Sequence, residues 1–145
     1  ANMDLTGVDP YFNLYGRKWP IHTHQIPAPP AKFIFATERE EGFRVGKALD
    51  SLVAPGAIVS GIVRNCVLGY NVVVRSWASV DESVILDGVT IGRNCRIKKA
   101  IIDKGNQVPA GTEIGYNPRQ DRERFTVTPR GIVVVPKGYF AGPKA

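Results

Sequence analysis

Histidine, cysteine and methionine are all scarce in this 145-residue chain: two, two and one respectively. Two cysteines cannot build a disulfide framework. Cys66 and Cys95 lie in apolar stretches, which reads as two buried, reduced thiols of a cytosolic protein, with a bridge or a metal pair as the alternative. No apolar run comes near the roughly 18 residues of a membrane-spanning helix. No basic region followed by an apolar stretch opens the chain, so no secretory signal is read and a cytoplasmic location is expected. An initiator Met is missing too. The chain opens Ala1-Asn2-Met3-Asp4, as a piece of a longer protein would.

Catalytic patterns are equally sparse. There is no Gly-rich loop of the P-loop or dinucleotide type. Ser60, Ser76, Ser79 and Ser83 have no histidine near them to act as base. The carboxylates are scattered, with no acid/base couple. His22-Thr23-His24 is at best half of a metal site, because two imidazoles without a third ligand hold a metal weakly. The plainer reading is a pair of solvated or hydrogen-bonded loop histidines. No catalytic residue and no metal ligand is therefore assigned.

What the chain does have is length, apolar residues and a repeat. At 145 residues it can bury about 68–70% of its unfolded surface without covalent staples. Hydrophobic residues make up 43% and charged residues 22%, which excludes a disordered chain. Residues 1–50 read as irregular, since Pro10, Pro20, Pro27, Pro29 and Pro30 interrupt helices and strand ladders. One short strand is expected within Ala31–Ala36, and a charged surface turn or loop over Glu38–Lys47.

From about residue 52 a 17-residue period sets in. Val63, Val80, Ile97 and Ile114 form one column, Leu68, Ile85 and Ile102 a second, and Val74, Ile91 and Val108 a third. They divide the chain into units of five, six and six residues. A helix has period 3.6 and disfavours this mixture of Val, Ile, Gly and Asn. Strands joined by tight corners fit. Asn71, Gly88, Asn94, Gly105 and Gly111 fall at the fourth position of their units, where a corner needs positive φ, and only Trp77 breaks the rule. Three strands and three corners per turn make a triangular β-solenoid with its aliphatic columns pointing inward. Val67, Val72, Val84, Val89, Cys95 and Ile101, four residues further into their units, are apolar too. The coils are assigned to residues 51–115 and a C-terminal cap to residues 116–145. Within the cap, Pro118–Phe125 is expected to hold a helical turn and Gly131–Val135 a buried strand.

Charge is uneven. Residues 1–90 carry eight Lys/Arg and nine Asp/Glu, residues 91–145 eleven against four. Arg93, Arg96, Lys98, Lys99 and Lys104 sit on the coils, and Arg119, Arg122, Arg124, Arg130 and Lys137 in the cap. Neither interleaved aromatics nor a recognition-helix pattern accompanies them. A small phosphorylated ligand therefore fits better than nucleic acid, with a merely solvated basic face as the alternative.

Several segments carry a closer likeness. Ala1-Asn2-Met3-Asp4-Leu5, Trp19-Pro20-Ile21, Pro29-Pro30-Ala31-Lys32-Phe33, Ile91-Gly92-Arg93-Asn94-Cys95, Ile101-Ile102-Asp103-Lys104, Asp121-Arg122-Glu123-Arg124-Phe125 and Gly131-Ile132-Val133 together resemble the C-terminal region of bacterial ADP-glucose pyrophosphorylases. The resemblance implies a left-handed parallel β-helix. It implies that residues 1–50 lead from an absent N-terminal catalytic domain, where ATP, glucose 1-phosphate and Mg²⁺ are held. No cofactor is implied for this chain itself. It further implies a homotetramer, no nucleic-acid or membrane partner, and small anionic effectors, sugar phosphates or AMP among them. By motif, Lys104 and Lys137 match the effector-contacting positions. Gly88 and Ala141 depart from members that carry an acidic residue and an arginine there, so the resemblance leaves the effector's identity open. The competing reading is a free-standing β-helix scaffold or the tail of another sugar nucleotidyltransferase.

Overall fold

The computed structural model describes residues 1–22, 24–34, 36–39 and 42–141. Its body is a three-faced prism of parallel strands. One face stacks Lys32–Phe33, Ile58–Val59, Val73–Val74, Thr90–Ile91 and Gln107–Val108. The second stacks Lys47–Leu49, Ile62–Arg64, Ser79–Asp81, Arg96–Lys98 and Glu113–Ile114. The third runs Leu52–Val53, Val67–Leu68, Val84–Ile85, Ala100–Ile102 and Val133–Val135, with Thr126–Val127 added antiparallel at its end. The 17-residue register is met directly: Ser79 pairs with Ile62 behind it and Arg96 ahead.

The ladder reaches upstream of residue 51: Lys32 pairs with Ile58, 26 residues on, and from Lys47 the next steps are shorter than 17. Lys47 pairs with Ile62, Leu52 with Val67 and Ile58 with Val73, fifteen residues in each case. The two missing residues come from the corner after Val59. Gly61 fits there because a Cβ would stand 2.3 Å from the Ala78 carbonyl oxygen of the next coil. The expected loop over Glu38–Lys47 is corrected: Thr37–Arg39 and Gly42–Arg44 pair antiparallel, and Lys47 already opens a coil strand. The strand expected within Ala31–Ala36 is confined to Lys32–Phe33, and Phe35 lies outside the described residues.

The inward columns make the core. Val63, Val74, Val80, Ile85, Ile91, Ile97, Ile102 and Ile114 are all fully buried, each worth roughly 1.5–3 kcal/mol against exposure. Asn71, Gly88, Asn94, Gly105 and Gly111 all have positive φ, and so does Trp77 at 65°. The one apparent exception thus adopts the corner geometry despite its side chain.

The five-residue units behave differently from expectation. Their inward side chains are Cys66, Ser83 and Ala100, all buried, whereas Val67 and Ile101 face outward and are half-buried. A strand alternates faces, and Leu68 and Ile102 already take the inward side. Their corner is turned by Asp50, Asn65, Glu82 and Lys99, with φ between 46° and 49°. A hydrogen-bonded column of small side chains runs beside it. Ser51 Oγ accepts from Cys66 N (3.0 Å), Cys66 Sγ from Ser83 N (3.4 Å), and Ser83 Oγ from Ala100 N (3.1 Å). Each donates back to a carbonyl two residues earlier, Leu49, Arg64 and Asp81. The tight corner pulls the backbone carbonyls out of register, and the side chains supply the missing acceptors.

The C-terminal segment closes one end. Asn117 caps the helix Pro118–Arg124, accepting from the N–H groups of Arg119 and Gln120, with Pro118 in its first turn. Asp121 is buried and accepts from Gly115 N at 3.1 Å. Phe125 follows, its ring 4.9 Å from Tyr139 and 6.0 Å from Phe140, and this aromatic group covers the last aliphatic layer. Val133–Val135 pairs with Ala100–Ile102 as an extra coil strand.

Candidate functional site

The end strand determines where the two lysines stand. Ile102 pairs with Val135, so Lys104 and Lys137 lie two residues beyond that pair, at the same corner of successive layers. Asp103 N donates to Val135 O at 3.0 Å. Asn106, completely buried, ties the two layers together. Its Nδ2 donates to Asp103 O (2.8 Å) and Pro136 O (3.0 Å), and its Oδ1 accepts from Phe140 N (2.9 Å). The backbone on both sides of the lysine pair is therefore fixed, while both side chains are exposed. One coil earlier the same column holds Asp87, whose Oδ2 is 3.7 Å from Lys104 Nζ, and before it Tyr70. Sequence reasoning missed Asn106. The available signal was a polar residue in the buried column that otherwise reads Val72 and Val89.

The other cations stand elsewhere on the prism. Arg96 pairs with Glu113 at 2.8 Å and stacks 4.2 Å from the Tyr116 ring centroid on the second face. Arg124 stacks over Phe125. Lys99 stands 3.9 Å from Glu82 at a different corner. With Arg130 it borders a cavity of about 460 Å³, floored by Val84, Ala100, Ile101 and Ile132 and walled by residues 1–3. The net positive charge of residues 91–145 is thus not one patch: Lys99 and Arg130 share this cavity, and Lys104 and Lys137 share one corner.

His22 and His24 are exposed, and Thr23 lies outside the described residues. Among the described residues no group of three or more His, Cys, Asp or Glu is placed to hold a metal. Both cysteines are free and buried. Burial pushes the Cys66 thiol up to about 11 and raises Cys95 as well, so neither presents a thiolate near neutrality. Among the described residues no helix is long and apolar enough to cross a membrane.

Residues 29–135 match the model of the GlmU-like C-terminal hexapeptide family. The chain belongs to that family. Similar curated relatives are the glucose-1-phosphate adenylyltransferases of Koribacter versatilis (strain Ellin345), 52% identical over 140 residues, and of Rhodopirellula baltica (strain DSM 10527 / NCIMB 13988 / SH1), 51% identical over 140 residues. That of Thiobacillus denitrificans (strain ATCC 25259 / T1) is 53% identical over 136 residues. The alignments cover 96%, 95% and 93% of this chain but 33%, 31% and 30% of the relatives. This hexapeptide chain therefore spans about a third of the length of the curated relatives it matches.

Proposed function

We propose that this chain is the regulatory and assembly part of a glucose-1-phosphate adenylyltransferase. In this reading a catalytic domain precedes it. That domain holds ATP, glucose 1-phosphate and Mg²⁺ and makes ADP-glucose and pyrophosphate for glycogen or starch synthesis. The hexapeptide prism supports a homotetramer in the cytoplasm and binds small anionic effectors, sugar phosphates or AMP, at the Lys104–Lys137 corner.

The observation that carries the effector assignment is the stacking of these two lysines on a backbone that Asn106 and the Asp103–Val135 bond hold in place. Charge-assisted hydrogen bonds to an anion contribute about 1.5–3 kcal/mol each. Two ammonium groups on a fixed scaffold can therefore support a discrete site, where one isolated surface lysine cannot. The test uses the full-length enzyme. Lys104→Ala and Lys137→Ala are each expected to raise effector half-saturation roughly tenfold while leaving activity without effector similar. Unchanged effector response in both variants overturns the assignment.

A further inference from the structure

We propose that Asp87 is a built-in competitor for the anion at this corner, occupying Lys104 when no ligand is bound and so setting the affinity of the site. The inference rests on the reading of Lys104 and Lys137 as the anion-binding pair. Along this corner the charges run acidic, basic, basic from one layer to the next: Asp87, Lys104, Lys137. Lys104 Nζ reaches Asp87 Oδ2 at 3.7 Å, and among the described residues Lys137 makes no ion pair.

The carboxylate is held in place. Its Oδ1 accepts from Tyr70 N at 2.9 Å, and its own backbone oxygen accepts from Gly105 N at 3.1 Å, the residue directly after Lys104. The spacing between Asp87 and Lys104 is thus set by the ladder itself. An anion seated between the two lysines draws Lys104 away from Asp87 and feels the remaining negative charge one layer below. The pair is solvent-exposed, 58% for the Lys104 side chain and 37% for Asp87. Exposed pairs are weak, so Asp87 lowers the affinity of the corner without closing it. Lys137, which makes no ion pair among the described residues, receives the ligand first.

The test is a chemical-shift titration of the nitrogen-15-labelled chain with glucose 6-phosphate at fixed ionic strength, following the amides of Lys104, Gly105, Lys137 and Gly138. Asp87→Asn removes the charge but keeps the Oδ1 acceptor for Tyr70 N–H. It is expected to tighten binding about threefold to tenfold, equivalent to ~0.6–1.4 kcal/mol. Asp87→Ser, a second charge-removing change, is expected to act in the same direction. Asp81→Asn is the control. It makes the same change in net charge on another face, where Asp81 pairs with Arg64, and is expected to stay within about twofold of the unaltered chain. If the unaltered chain binds and both Asp87 variants bind equally or more weakly, or if Asp81→Asn gains as much, the competitor role is overturned while the lysine pair stands. If saturable shifts at these amides are absent from every form, the lysine-pair reading falls and the competitor role falls with it.

Discussion

Residues 1–31 and the coils that follow are both well supplied with apolar side chains, yet they treat them oppositely. In the first segment Val8, Tyr11, Phe12, Leu14, Tyr15, Trp19, Ile21 and Ile26 are exposed, Tyr11 and Val8 entirely so. Across the coil strands from Lys47 to Ile114 only Leu49 and Trp77 among the large apolar residues are exposed. Among the described residues, the backbone bonds of residues 1–16 close on near neighbours, such as Gly7 N to Asp4 O, whereas each coil donates to the next. The difference is periodicity rather than composition. A column such as Val63, Val80, Ile97 and Ile114 returns to the same inner edge every layer, so each burial adds to the last. The N-terminal apolar residues fall at no fixed interval, and the prolines among them prevent the ladders that would gather them.

That contrast can be broken most sharply inside a column. Ile97→Ala is expected to cost ~2–5 kcal/mol in denaturant melts. Ile97→Asp is expected to cost more, because it buries a charge without a partner. An unchanged midpoint for Ile97→Asp would place the residue outside the core. The next effect is a pH dependence. Cys66 holds its proton to about pH 11 in the folded chain and releases it near its ordinary 9.0 when unfolded. Above pH 9 the unfolded chain therefore binds fewer protons, and stability falls as pH rises, by on the order of 2 kcal/mol at pH 11. Below pH 9 this contribution is fully present. Melts of the parent and of Cys66→Ser, which keeps an acceptor in the small-residue column, across that window are expected to differ in slope.

Ser83→Ala removes the acceptor of Ala100 N–H and is expected to cost ~1–3 kcal/mol, read as a lower midpoint and faster amide exchange at Ala100. The smallest effect belongs to the other region: Trp19→Ser is expected to leave chemical stability within about 0.5 kcal/mol, despite the loss of a large aromatic. A drop comparable to that of Ser83→Ala would show that Trp19 packs on the coils in solution.

The corners of the six-residue units were legible because Gly and Asn mark them. The third corner was not, because Glu82 and Lys99 carry no such mark, and their φ is imposed by the layers above and below. The inward set of the five-residue units was hidden for a related reason. Hydrophobicity favours Val67, Val84 and Ile101 over Cys66, Ser83 and Ala100, but the tight corner needs small side chains that can accept a hydrogen bond. At the candidate site, the motif match supplied Lys104 and Lys137. Their placement in one column depends on Val133–Val135 returning to the prism after an intervening helix, a 33-residue step that no period announces. Asp87 was different: it lies one 17-residue period before Lys104, so the repeat itself stacks the two, and the signal is an acid and a base at the same position of successive coils.

The small-residue column also changes character at its last layer. Ser51, Cys66 and Ser83 each offer an acceptor to the layer above, and Ala100 offers a methyl group. The returning strand avoids the gap because Val133 N bonds to Lys99 O instead. At this layer the chain thus trades a side-chain acceptor for a backbone one, and the small-residue column ends where the returning strand begins.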